Sequence, residues 1–360
     1  MRRGGVLPTV VRGVLLLAVG VSLGWLATAS AQASPPSRWI AVSVATLWAE
    51  PAKARALDAP ACSVPADPRA WVAGMTASQK LWLVGRLESQ ALYGTKVYLL
   101  GRSGAWSRVA VASQPTPRNR WGYPGWVRSA HLVARAPQAA PRLAVIRRPT
   151  AWLWRTPDLR GRQIELSYGT RLRAVAWSSA SIEVVGLDGR SLYLRRGAAA
   201  LHARGRAWPV VSGARLVKEA KRFLGLQYLW AGVSGFGFDC SGFTHAVYAA
   251  LGTTIPRDGG PQFTQGRKVA SRSSLHSGDL VFFRGASGQI HHVGMYVGDG
   301  KMIHAPRTGR PVAITSILAE PYRSEFAGGR RYTPKVRGAT SQSASAIDWT
   351  QAGRWRSGRI

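Results

Sequence analysis

The pattern of apolar positions changes character four times along the chain. Residues 14–27 form one continuous apolar run behind Met1, Arg2 and Arg3, followed by Ala-x-Ala sites at Ala29/Ala31 and Ala31/Ala33. This predicts a secretory leader over residues 1–33, cleaved rather than retained because the run is short for a bilayer span. Residues 34–138 then carry short apolar stretches punctuated by glycine and aromatic turns. Residues 42–48 read as a strand. Residues 96–100 and 106–111 read as a hairpin about the glycine turn at 101–104, and residues 122–127 as a tight aromatic turn entering another strand. After an Ala/Pro-rich linker the same texture returns over residues 139–204, with strands at 151–155, 169–177, 181–185 and 191–194. Two small all-β barrels are expected.

From residue 205 the period changes again. Leu216, Ala220, Phe223 and Leu224 make a helical stripe over residues 214–224. Gly235-Phe236-Gly237-Phe238-Asp239-Cys240-Ser241-Gly242 then reads as a glycine-broken loop that opens a second helix. Phe243, Val247 and Leu251 are the apolar face of that helix, and Gly252 its cap. Strands follow after Gly278-Asp279 and at residues 291–298 and 302–305, the last two joined by Gly298-Asp299-Gly300. The whole reads as multidomain, two barrels followed by an α+β domain over residues 205–336. Residues 337–360 are basic and serine-rich without an apolar stripe, the composition of a disordered tail.

The chemistry concentrates on Cys240. A thiol in the first turn of a helix meets unpaired N–H groups, which favour thiolate and can hold an oxyanion. A cysteine nucleophile needs a base and a group that orients the base, and two antiparallel strands would bring His292 and His304 together for those roles. Strand alternation points His291 to the opposite face, unless an irregularity turns it toward the cleft. His131, His202, His245 and His276 read as surface or packing residues, and neither metal nor organic cofactor is implied.

Six ordered segments carry a resemblance to the NlpC-type papain-like cell-wall cysteine peptidases. They are Tyr228-Leu229-Trp230-Ala231-Gly232, Asp239-Cys240-Ser241-Gly242, Ile255-Pro256-Arg257-Asp258, Gly278-Asp279-Leu280, His292-Val293-Gly294 and Ile303-His304-Ala305. The β-rich regions resemble bacterial SH3-like domains. Residues 87–94 and 122–126 resemble segments of the γ-D-glutamyl-L-diamino acid endopeptidases. That resemblance implies a first barrel closing one end of the cleft, with Glu88, Tyr123 and Asp239 binding the free amine of an N-terminal L-alanine. It also implies a role for Tyr228 near the oxyanion, and Ser241, Arg257 or the basic surroundings are the groups left to contact the substrate's D-glutamate carboxylate where this chain lacks a serine of related sequences. Related sequences often carry a serine after the Arg-Asp pair where this chain has Gly259. The implied activity is cleavage of the γ-D-glutamyl–diamino acid bond in peptidoglycan-derived peptides. The alternatives are an endopeptidase that opens intact wall, with the barrels as docking modules, and a non-catalytic envelope-binding protein.

Charge adds one question. The chain of 360 residues has 49 Lys and Arg against 16 Asp and Glu, a formal charge of +33. With an export leader this disfavours nucleic acid as a partner. It leaves two readings, a solvated arginine-rich surface or attraction for anionic envelope polymers. A periplasmic or extracellular location follows from the leader, with no stable membrane anchor after cleavage. Only Cys62 and Cys240 are present, so there is no disulfide framework, and Cys62 reads as incidental.

Overall fold

The computed structural model describes Met1, Gly5 and residues 34–333. The expected leader and the expected disordered tail lie outside the described residues, apart from those two N-terminal positions. No helix among the described residues is long and apolar enough to cross a membrane.

The first β region is a seven-stranded sheet. Its order is Leu87–Leu92, Val44–Trp48, Tyr123–Arg128, Trp106–Val111, Lys96–Ser103, Ser37–Ile40 and Leu132–Val133. The hairpin read around residues 101–104 is present, with Ser103 opposite Trp106. Its interior is aliphatic and aromatic, with Ile40, Leu47, Val97, Val109, Val111, Tyr123 and Val127 all buried. Short helices at Ala59–Cys62, Pro68–Ala73 and Ala77–Leu81 interrupt it between its second and third strands in the chain. They sit where the sequence showed only broken apolar stretches. Asp67 caps the second helix ahead of Pro68, and Thr76 with Gln79 forms a capping box on the third. Trp71 and Val72 are thereby buried against Trp48 and Leu87.

The second β region repeats the first. Its seven strands run Arg162–Ser167, Thr150–Trp154, Ser191–Arg195, Ser181–Val185, Arg171–Trp177, Arg142–Ile146 and Ala199–Ala203. Position by position this is the order of the first sheet, although the two sequences are not closely alike. All strand pairs in both sheets are antiparallel.

The third region is α+β. A six-stranded sheet runs Arg267–Val269, Phe326–Arg331, Leu280–Arg284, Ile290–Gly298, Lys301–His304 and Ala313–Ser316. The helices Gly213–Ala220 and Cys240–Ala250 pack on it. Leu216, Phe243 and Val247 meet Leu280, Phe282, Val293 and Met295 in one buried core. The stripe predicted for residues 214–224 is the first of these helices followed by the tighter turn Lys221–Phe223.

Both sheets of the N-terminal half are tied to this region. Tyr168 and Val145 of the second sheet belong to the same apolar core as the Cys240–Ala250 helix. A 2.6 Å ion pair joins Arg147 to the buried Glu219. The first sheet shares a core with Leu229, Ala231 and Phe236. There the Trp230 indole donates to the Leu87 carbonyl at 2.9 Å, and the Val233 N–H to Gln90 at 3.1 Å. Arg257 reaches Ser89 at 3.1 Å, while its own N–H donates to the Pro115 carbonyl, also at 3.1 Å. These bonds set the first sheet beside the cysteine.

Candidate active site

Cys240 is the first residue of its helix, and Asp239 is the N-cap, its carboxylate accepting the Gly242 N–H at 2.6 Å. The glycine in this motif is steric: a Cβ on Gly242 would lie 2.0 Å from the Gly232 carbonyl oxygen. The helix start is thus pressed onto the Leu229–Gly232 turn, which explains why both glycine-bearing segments occur together. Gln262 locks the other side, donating to the Ser241 and Pro256 carbonyls at 3.0 and 2.8 Å.

His292 lies on the Ile290–Gly298 strand opposite Phe283, and His304 ends the neighbouring strand. Their rings meet, His292 Nε2 to His304 Nδ1 at 2.7 Å, and His304 Nε2 reaches the Thr315 hydroxyl at 3.0 Å. Gly294 makes this possible, since a Cβ there would lie 3.2 Å from the His304 Cβ and 2.5 Å from the Met302 sulfur. Tyr322 packs its ring against both imidazoles, 5.9 Å from His292 and 5.4 Å from His304. No motif or spacing in the chain marks Thr315 or Tyr322.

Cys240 and His292 line one cavity of about 230 Å³ together with Tyr228, Asp239, Ser241, Glu88 and Tyr123. The sequence-predicted residues are therefore brought together, across two folding regions. His291 also lines it, because the pairing register slips between Phe283 and Arg284 and leaves this residue in a bulge. Its imidazole is 3.0 Å from the Glu325 carboxylate. His245, by contrast, is buried with Nδ1 bonded to the Ile255 carbonyl at 2.8 Å, the packing role expected of it.

Two features differ from expectation. The helix terminus was expected to favour thiolate, yet burial pushes the Cys240 thiol up to about 12, and the Asp239 charge adds to that. The Val293 and Ser241 backbone groups and Arg257 pull the other way without prevailing. Burial, then the neighbouring His304 and His291, likewise hold His292 well below the usual histidine range, and burial alone takes His304 down to about 4. In the free protein the thiol and both imidazoles are neutral near pH 7.

The second difference concerns Asp239 and Ser241. Arg257, only 1% exposed, holds the Asp239 carboxylate through two nitrogens at 2.6 and 3.2 Å and also donates to the Ser241 hydroxyl at 3.1 Å. With the Gly242 N–H on the same carboxylate, Asp239 is engaged within the protein. The acid that faces Tyr123 is instead Asp258, which accepts from its hydroxyl at 3.2 Å. Burial raises the Asp258 carboxyl, while Arg257 opposes that shift. Asp258 was part of a recognised segment, but nothing in the sequence separated its role from that of Asp239.

A thiol and one of two linked imidazoles on the same acid-lined cavity are the apparatus of a cysteine peptidase. Comparison with known proteins agrees: residues 225–331 match the NlpC/P60 family. A γ-D-glutamyl-L-lysine dipeptidyl-peptidase of Bacillus cereus is 42% identical over 303 residues, covering 82% of this chain and 91% of that protein. The enzyme of the same name from Bacillus subtilis is 35% identical over 294 residues, covering 80% and 96%. The crystal structure of an NlpC/P60 family protein from Bacillus cereus superposes with a TM-score of 0.78 at 40% identity, over 83% of this chain and all of that one. The chain belongs to the NlpC/P60 family of cysteine peptidases.

Proposed function

We propose that this peptidase cleaves the γ-D-glutamyl–diamino acid bond of peptidoglycan stem peptides that carry a free N-terminal L-alanine. The observation that carries the reading is the cluster of Glu88, Tyr123 and Asp258 on the cavity that holds Cys240. An ammonium taken from water must be paired and hydrogen-bonded, and two carboxylates with a hydroxyl supply that. An acylated terminus would leave those groups facing an uncharged amide. Asp239 lines the same cavity while it holds Arg257 and caps the helix. The names of the two Bacillus relatives point to the same bond.

In the chemistry that follows, His292 Nε2 is engaged by His304, which leaves Nδ1 to take the Cys240 proton. His292 then donates through Nε2 to His304 Nδ1, and His304 through its own Nε2 to Thr315. The sulfur attacks the γ-carbonyl carbon of D-glutamate, and a tetrahedral oxyanion forms near the helix terminus and Tyr228. Collapse expels the diamino acid's amine, which takes the proton from His292 and leaves a thioester on Cys240. Water attacks that thioester, with His292 as base, and L-Ala-D-Glu departs as the thiol is restored.

We read the two repeated sheets as SH3-like domains over residues 34–138 and 139–204, and the peptidase domain as residues 205–336. The repeated strand order supports the first of these. Action outside the cytoplasm rests on the sequence of residues 1–33 alone.

Mass spectrometry of products from L-Ala-γ-D-Glu-L-Lys tests the reaction. Wild-type protein should release L-Ala-D-Glu and free lysine, and Cys240→Ala none. Cleavage at another bond, or equal turnover by Cys240→Ala, would refute it.

A further inference from the structure

The acceptors proposed for the substrate's amine already hold a cation of the chain itself. A single nitrogen of Arg118, Nη1, is bonded by the Glu88 carboxylate and donates to the Tyr123 hydroxyl at 3.0 Å. The guanidinium lies 5.1 Å from the centre of the Tyr123 ring. Tyr123 in turn bonds Asp258, so the guanidinium already holds the Glu88 carboxylate and the hydroxyl that an α-ammonium would need.

The segment that carries Arg118 is fixed on either side of it. Gln114 is buried and bonded to Ser89 and Gln90, Pro115 accepts the Arg257 N–H, and Asn119 accepts the N–H groups of Trp121 and Gly122. The Arg118 side chain nonetheless remains 44% exposed. It can therefore leave by rotating about its own bonds into water, with the backbone in place. Exchange of guanidinium for ammonium keeps the charge of the subsite constant, so Glu88 is never left unpaired, while Asp258 keeps Arg257 at 3.9 Å throughout.

We propose that Arg118 is an internal occupant of the amine subsite, displaced by the α-ammonium of the substrate, and that it thereby sets the affinity for free-amine peptides. This rests on the amine-recognition reading above. An occupant that must leave lowers apparent affinity by the fraction of enzyme it occupies. If the paired form is about 70–90% of the free enzyme, KM is raised about three- to ten-fold. Its removal acts on binding and leaves the chemical step, at Cys240, alone.

The test uses the full chain with L-Ala-γ-D-Glu-L-Lys and its N-acetyl form. Arg118→Gln should lower KM for the free tripeptide by about three- to ten-fold with kcat within about two-fold, while Arg118→Lys stays nearer wild type. In the Cys240→Ala background, calorimetry should show the product L-Ala-γ-D-Glu binding more tightly by the same factor once Arg118 is replaced. If wild type discriminates against the acetylated peptide but Arg118→Gln leaves KM unchanged or raises it, Arg118 does not compete with substrate and this proposal fails alone. If wild type cleaves both peptides equally, the amine-recognition reading falls and this proposal with it.

Discussion

His292 and His304 meet ring to ring across two adjacent antiparallel strands, Nε2 of the first lying 2.7 Å from Nδ1 of the second. Thr315 ends the relay on the next strand, 3.0 Å from His304 Nε2. One direction of proton donation satisfies the whole chain and leaves His292 Nδ1 unprotonated, as a base must be. In the proposed mechanism His304 holds that tautomer and the plane of the base.

Loss of that orientation should act on turnover. His304→Ala is expected to lower kcat about 100-fold with KM within a few-fold, as when an orienting partner is removed from a catalytic histidine. His304→Asn, which keeps an acceptor, should retain more activity, and Thr315→Val should lose about three- to ten-fold. Steady-state kinetics on the free tripeptide decides this. Full activity in His304→Ala would remove the histidine from the mechanism.

The protonation state of the nucleophile is open to a direct probe. With the Cys240 thiol raised to about 12 by burial and by Asp239, alkylation should be slow at neutral pH and should accelerate steadily on the alkaline side. The measurement is the iodoacetamide rate against pH in Cys62→Ser protein. Cys62 itself is raised to about 11, by burial first. A rate plateau already reached by pH 6 would mean a preformed thiolate–imidazolium pair.

Stability should fall on mild acidification. Burial takes His304 and His245 from 6.5 to about 4. Between those limits the unfolded chain binds more protons than the folded one, so folding free energy declines as pH drops from about 6.5 toward 4. Each residue contributes on the order of 3 kcal/mol at the acidic end. Thermal melts from pH 7 to pH 4 should show this slope, reduced in His245→Asn. A Tm independent of pH over that range would contradict it.

Gly259 offers a test of substrate contacts near the reacting bond. It lines the cavity, and a Cβ there would meet only Ile290 and Val293 at 3.8 and 3.9 Å, which is ordinary contact. Gly259→Ser should fold normally and present a hydroxyl to the D-glutamate carboxylate. We expect kcat/KM for the tripeptide to rise about two- to ten-fold, the net value of one added hydrogen bond. A fall would show that the space is used by substrate itself.

Much of this arrangement could be read from the chain because its determinants are local. The cysteine helix announces itself by its capping aspartate, its apolar spacing and its closing glycine. The two histidines lie on strands joined by a short glycine turn, so pairing alone brings them together. The contacts that eluded the sequence are those made through space. Asp239 is held by Arg257, eighteen positions later, and Asp258 bonds Tyr123 on the same cavity. Arg118 is one arginine among many, and only the fold sets it on Glu88. The helices over residues 59–81 were missed because each is a turn or so long, too short for a periodic stripe. The identical strand order of the two sheets was hidden because strand pairing constrains alternation and turns far more than residue identity.

The decisive measurement compares kcat/KM for L-Ala-γ-D-Glu-L-Lys with that for the same peptide acetylated on its alanine. Recognition of the ammonium by Glu88, Tyr123 and Asp258 predicts a loss of at least about 100-fold on acetylation, since these acceptors then face an uncharged amide in place of a cation. Glu88→Gln should narrow that gap by slowing the free peptide alone. Comparable rates for the two peptides in the wild-type protein would contradict the account.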